Sequence, residues 1–166
     1  MTTRYIKLLK NFTTNDLIFK PVRKTSSGSR IIDIEGDTLF QTGWLKILYD
    51  VDYRICVDGE KIKDILSQID EIVIDHSVNA LDFTKQEIIN MYRPLLKQSG
   101  DLNCFSISVL TSTTLFDKDK NFYDKSEIKT VLKQGQNVRF IFGFKKIYFK
   151  DHELTFPLEL QQIELA

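Results

Sequence analysis

Between residues 129 and 150 the chain reads KTVLKQGQNVRFIFGFKKIYFK. Within it Val138, Phe140, Phe142 and Phe144 alternate with Arg139, Ile141, Gly143 and Lys145. Successive side chains of a β-strand point to opposite faces, so this alternation sets one wholly apolar face against a core and turns the other outward. The segment therefore predicts a strand with Phe140 and Phe142 as core. Gly143 removes a side chain in mid-strand, which marks either a bulge or the close approach of a ligand. Beyond it, Lys146, Tyr148 and Lys150 continue on a second face.

The same period of two recurs over residues 5–9, 16–22, 30–35, 38–41, 44–53, 54–57 and 102–110, each bounded by turn-forming residues. SSGS at 26–29, Gly36-Asp37 and Asp58-Gly59 read as turns. A closing hairpin spans 137–149, turns at Asp151-His152 and returns over 154–165. Helical spacing is rarer. Ile62, Ile65, Leu66 and Ile69 predict a helix over 60–69, and residues 72–74 read as a short strand or the end of that helix. Thr84 with Glu87, and Asp124 with Glu127, have the spacing of a capping box, in which each side chain satisfies an orphan backbone N–H of the other residue. The first box opens a helix that stops near Pro94. The second follows a polar loop at 117–124 and opens a short helix ending at Gly135. Many strands with few helices predict a mainly β or α+β barrel. Residues 1–166 form one domain, with a helix-containing insertion around 60–100.

Hydrophobic residues make up 42% of the chain against only 7 Gly and 3 Pro, so the sequence can bury a core. No apolar run approaches the ~20 residues of a membrane span, and the start, MTTRYIKLLKN, lacks a signal-peptide apolar region. The expectation is a cytoplasmic protein with no membrane partner. Cys56 and Cys104 lack metal spacing and read as reduced core thiols.

A net charge of zero hides segregation. Residues 1–30 hold seven basic residues and one acid, residues 31–90 thirteen acids and five bases, and the segment 129–150 six bases and no acid. Two basic blocks flank an acidic middle, and such a molecule can bind phosphate on one side although its total is neutral. The alternative is clustering on a solvated surface.

Catalysis has no address in the sequence. His76 and His152 lie half a chain apart, outside any metal-binding frame. The glycines are scattered singly, which excludes a phosphate-cradling loop. Asp50, Asp52, Asp58, Glu60 and Asp64 could hold Mg²⁺ for nuclease chemistry, but Asp58-Gly59-Glu60 is better explained as a turn that places acids at the positive end of a helix. No metal, no cofactor and no enzyme are expected.

What remains is binding. Cations neutralise phosphates while flat aromatic faces stack on bases. Lys20, Arg23, Lys24 and Arg30 border the Ser/Gly loop. Arg139 and Lys145 face away from the apolar side of their strand, and Lys146 flanks Tyr148. Trp44, beside Gly43 and two residues from Lys46, is either a stacking platform or core; Tyr148 is either a platform or an ordinary strand tyrosine.

The order KPVRKTSSGSRIIDIEG, then LFQTGWL, then the glycine-led closing hairpin KQGQNVRFIFGFKKIYFKDHELTFPLELQQIEL resembles the single-stranded-DNA-binding proteins of large cytoplasmic DNA viruses and, more distantly, phage replication proteins of the same type. The resemblance covers nearly the whole chain. It implies a five-stranded OB barrel with a helical insertion. It also implies a binding groove with Arg23, Lys24 and Arg30 on the first hairpin, Trp44 and Lys46 after the second strand pair, and Arg139, Lys145 and Tyr148 on the closing hairpin. The implied function is single-stranded DNA binding in replication or repair, in the host-cell cytoplasm if the protein is viral. RNA is a further candidate ligand, replication proteins are candidate partners, and a homo-oligomer is compatible with both. Phage members end in an acidic tail closed by an aromatic residue that recruits such partners; Gln161 to Ala166 are strand-like instead. The competing reading is a non-catalytic viral accessory or structural protein–protein interaction module docked through the acidic middle.

Overall fold

The computed structural model describes residues 5–51 and 53–166; residues 1–4 and Asp52 lie outside them. The chain begins with β1 (Ile6–Leu8), the hairpin β2 (Ile18–Lys24) and β3 (Arg30–Glu35), then β4 (Leu39–Gln41), and a second hairpin of β5 (Leu45–Val51) and β6 (Arg54–Asp58). Helices α1 (Lys63–Leu81) and α2 (Lys85–Met91) follow, then β7 (Leu96–Ser99), β8 (Leu102–Ser108), β9 (Thr114–Phe116) and β10 (Phe122–Tyr123). After α3 (Lys125–Val131) come β11 (Asn137–Phe144), β12 (Lys146–Lys150), β13 (Glu153–Thr155) and β14 (Leu158–Leu165).

The strands form two sheets. The larger runs β10-β9-β14-β11-β5-β6-β8-β7, with β4 also against β11 and β1 beside β4; the smaller runs β13-β12-β3-β2. The expected mixture of many strands and few helices is present, but no pairing among the described residues closes either sheet into a barrel.

The closing hairpin belongs to both sheets. β11 pairs with β14, and β12 with β13 around a two-residue turn in which Asp151 and His152 both have positive φ. That is the backbone of a tight hairpin turn whose twist matches its strands. Lys145 and the pair Phe156-Pro157 are the breaks at which the two long strands pass between sheets. Val138, Phe140, Phe142 and Phe144 are all buried. The three phenylalanine rings join Phe12, Phe40 and Phe105 in a chain of tilted contacts, and Phe144 stacks on Phe156 at 4.9 Å. Gly143 is buried with its α-carbon against Leu39: a Cβ there would meet Leu39 Cδ2 at 3.1 Å. What approaches this glycine is β4 and not a ligand, and the register shift lies one step earlier, between Ile141 and Phe142.

Both capping boxes form, at Thr84/Glu87 and Asp124/Glu127. Three sequence expectations change. Residues 72–74 are neither strand nor helix end but the middle of α1, whose buried face is Leu66, Ile69, Val73, Ser77 and Leu81. The loop at 117–124 contains β10, paired to β9. The second capped helix ends at Val131, before Gly135. Helix α1 is tied to the smaller sheet by His76, which stacks on Phe19 at 4.0 Å; burial pushes the imidazole pKa down and favours its neutral form. Cys56 and Cys104 are buried free thiols.

Candidate nucleic-acid interface

The outward face of the smaller sheet gathers four of the sequence-predicted residues. Side chains directly opposite across antiparallel strands share a face. Arg23 lies opposite Ile31, Ile31 opposite Tyr148, and Tyr148 opposite Thr155, making one row across all four strands. Lys146 stands opposite Asp33 in the neighbouring row. Ile31 is buried beneath this face. The Tyr148 hydroxyl is 3.1 Å from the Oγ of buried Ser29, and the Lys146 ammonium lies 5.6 Å from the Tyr148 ring centroid. Tyr148 therefore presents a fixed, half-buried ring with a cation beside it. Arg23 donates from Nε to Asp33 at 2.6 Å. That hydrogen bond, followed by the charges of Arg23, Lys20 and Lys146, holds the Asp33 carboxyl below its usual range against a smaller opposing effect of burial. Arg23 is thus ion-paired to Asp33, with the charges of Lys20 and Lys146 near enough to be felt there.

A second group sits on the outward face of the larger sheet. Lys46 is opposite Asn137, and Arg139 opposite Glu164. Arg139 donates from Nε to Glu164 at 2.7 Å while its guanidinium lies 4.8 Å from the Trp44 ring centroid. Lys120 reaches the same carboxylate at 3.6 Å. Trp44 is 38% exposed, one face of it covered by Arg139. Lys145, at the bend between the sheets, pairs with Glu159 at 3.0 Å.

Lys24 and Arg30 do not join either group. They are opposite each other on the reverse side of the smaller sheet from Arg23. Arg30 lies over Phe149 at 4.9 Å and Phe83 at 5.5 Å, and donates to the Leu81 carbonyl at 3.3 Å. A guanidinium at a helix C-terminus complements the dipole and an orphan carbonyl, so Arg30 fastens α1 to the sheet.

The acids of the middle segment are used locally. Asp58 accepts from the backbone N–H of Glu60 at 3.0 Å, and Glu60 binds Lys63 and Asn103, both at 2.5 Å. Hydrogen bonds from those two side chains hold the Glu60 carboxyl below its usual range. Asp52 lies outside the described residues. Among the described residues, no three His, Cys, Asp or Glu side chains converge as metal ligands would.

One concave feature escaped the sequence. A cleft of about 430 Å³ opens between the sheet β6-β8-β7 and the corner joining β13 to β14. Arg54, Arg93 and Lys97 line it with Ser106, Ser108 and Thr155, and its apolar wall includes Pro94, Leu95, Pro157 and Leu158. Its three cations come from two segments, Arg54 from β6 and Arg93 with Lys97 from the stretch entering β7, each unremarkable in composition. The only local signal was Arg93-Pro94, read as the end of a helix.

No family model matches this sequence, and no curated protein matches it. The fold is similar to solved structures of the single-stranded DNA-binding protein from bacteriophage Enc34. A C-terminally truncated form aligns with a TM-score of 0.52 at 13% identity, over 93% of this chain and 96% of that one. The complex of that phage protein with single-stranded DNA aligns at 0.50 and 12%, over 89% and 94% of the two chains. A further structure of it aligns at 0.51 and 14%, over 89% of each. At these identities the likeness is one of fold.

Proposed function

We propose that this protein binds single-stranded DNA without catalysing a reaction on it, as a single OB-type domain with a helical insertion around 60–100, in DNA replication or repair. The observation that carries the reading is the correspondence of fold along nearly the whole chain with a phage protein solved in complex with single-stranded DNA. The outward face of the smaller sheet supports it from the residues upward. Tyr148 offers a ring to a base, and Lys20, Arg23 and Lys146 gather around Asp33 beside it. Stacking at ~1–3 kcal/mol per base would supply sequence-tolerant affinity, and phosphate neutralisation would add a salt-dependent part. Trp44, Lys46, Arg139 and Lys145 form a second contact region in this reading, with Lys24 at the strand edge. Partners, if recruited, would be replication proteins, and the compartment would be the cytoplasm.

The test is fluorescence anisotropy of the purified full chain with labelled oligo-dT, oligo-U and duplex DNA over a salt series. Oligo-dT should bind more tightly than duplex, and log affinity should fall linearly with log salt by ~0.7 per phosphate contact. Incubation with DNA and Mg²⁺ or Mn²⁺ should leave the strand intact. No binding to any of the three at ~50 mM salt would return the protein to the interaction-module reading.

A further inference from the structure

We infer that the cleft lined by Arg54, Arg93 and Lys97 is a nucleotide-binding subsite, which takes one phosphate-bearing nucleotide unit and anchors a single strand there. The inference rests on the single-strand reading for the anchoring role, and on the cleft alone for the binding of the nucleotide.

Two of the cleft's three cations are left without an acid among the described residues. No Asp or Glu lines it among the described residues. Arg54, at the start of β6, is held by hydroxyls: its Nε donates to Ser106 at 2.7 Å and its Nη1 to Ser108 at 3.2 Å. Hydroxyls orient a guanidinium without neutralising it. Arg has five donors in a planar fork suited to phosphate, and two hydrogen bonds leave the remainder free. Lys97 has no ion-pair partner among the described residues. Arg93 alone has an acid, Glu153 at 2.8 Å, and both side chains of that pair are largely exposed.

Part of the lining is apolar. Pro94, Pro157 and Leu158 add flat or branched hydrocarbon to the lining beside the cations, so the cleft suits a ligand with an anionic part and a flat apolar part. A nucleotide has both; inorganic phosphate has one. A volume of about 430 Å³ lies within the range of small-molecule sites. The segment carrying Arg93 is also fixed in place. Its N–H donates to the Leu154 carbonyl at 3.0 Å, and two residues on, the Leu95 N–H donates to Asp70 at 3.2 Å. A braced site loses less entropy on binding than a mobile one.

The cleft also continues the proposed binding face. Thr155 lines it and is opposite Tyr148. The row Arg23, Ile31, Tyr148, Thr155 therefore runs across the smaller sheet and ends at the cleft's rim. Three strand spacings separate its ends, ~14 Å. A strand that stacks on Tyr148 reaches the cleft without changing direction.

The test follows amide chemical shifts of the full chain during titration with thymidine 5′-monophosphate, thymidine and inorganic phosphate, beside oligo-dT anisotropy. Arg54→Gln and Lys97→Gln are compared with Lys129→Gln, outside the cleft. The monophosphate should shift residues 93–97 and 106–108 and bind more tightly than thymidine or phosphate. Each cleft variant should weaken it about tenfold, the loss of one charge-assisted hydrogen bond, and lower the oligo-dT salt slope by ~0.7. Lys129→Gln should do neither. If Arg54→Gln proves unstable, exposed Lys97 carries the comparison. Oligo-dT binding unchanged in both cleft variants, with no monophosphate shifts at the cleft, overturns the inference and leaves the single-strand reading standing. Monophosphate binding abolished by Lys97→Gln in a protein that ignores oligo-dT upholds the nucleotide site and overturns its anchoring role.

Discussion

The face around Trp44 and the face that runs from Arg23 to the cleft both gather cations and differ in what stands opposite them. Around Trp44, Arg139 and Lys120 share Glu164, and Lys145 at the bend has Glu159. From Arg23 to the cleft, Arg23 pairs with Asp33 and Arg93 with Glu153, while Arg54 and Lys97 meet no acid among the described residues. A strand arriving at the first face must displace carboxylates from Arg139 and Lys145; in the cleft it meets Arg54 and Lys97, which have none. Basic residues counted along a chain therefore do not map its electropositive surface, because strand register decides which of them are cancelled.

The largest expected effect tests the common support of both faces. Phe140 is fully buried directly behind Arg139 on the same strand. Phe140→Ala should cost roughly 3–5 kcal/mol of unfolding free energy, read by denaturant titration, and should weaken oligo-dT binding only through the unfolded fraction. A loss under ~1 kcal/mol, far below the range for a buried Phe, would mean that the hairpin's inner face does not hold the two surfaces in register.

Next in size is stacking, where the two faces should part. Tyr148→Ala should lose ~1–3 kcal/mol of oligo-dT affinity with the salt slope kept. Trp44→Ala should lose less, because Arg139 already covers one face of the indole. Equal losses would erase the distinction between the faces, and a larger loss at Trp44 would reverse it.

Much of the frame behind this comparison was legible in the sequence, for physical reasons that particular residues show. Thr84/Glu87 and Asp124/Glu127 were readable because a capping box is local, three residues wide and fixed by hydrogen bonds. The burial of Phe140 and Phe142 followed from strand alternation. The run Ile72-Val73-Ile74 misled because β-branched residues favour strands; burial of Val73, Ser77 and Leu81 along one helical face outweighs that preference. The basic residues of the candidate interface were visible, but their cancellation was not. Arg139 and Glu164 are 25 residues apart and meet only in the register of β11 with β14. Arg30 shows the same limit, since its helix-end partner at Leu81 is 51 residues away. The cleft was invisible because Arg54 meets Arg93 and Lys97 only through the pairing of β6, β8 and β7.

A smaller effect concerns the brace behind the cleft. Asp70 accepts from the Tyr92 hydroxyl and the Leu95 N–H. Burial raises its carboxyl from an ordinary 3.8 to about 6, outweighing those two hydrogen bonds, which lower it. The folded state then holds the proton over a pH range where the unfolded chain has released it, so this group's stabilisation is present below about 4 and is lost as pH rises through about 6. Asp70→Asn keeps an acceptor for Tyr92 without the charge. It should flatten the dependence of Tm on pH across that window and raise Tm at pH 7 by about 2–4 °C, read by calorimetry. An unchanged slope would place the pH dependence elsewhere, and the cleft's brace would not be a titrating one.

The smallest expected effect is the most direct attempt to convert one face into the other. Glu164→Gln leaves a side chain of nearly the same shape that can still accept from Arg139, but it removes the charge that Arg139 and Lys120 share. Partly exposed pairs contribute about 1 kcal/mol or less, so Tm should barely move. If the strand passes over Trp44, both cations become available to phosphates, and the oligo-dT salt slope should steepen by up to ~1.4, or ~0.7 for each. Affinity at low salt should rise with it, while thymidine monophosphate binding in the cleft stays as it was. If the slope does not move, the strand does not cross the Trp44 face at all. The Arg139–Glu164 pair would then be a cross-strand fastening, and the path would run from Arg23 over Tyr148 into the cleft.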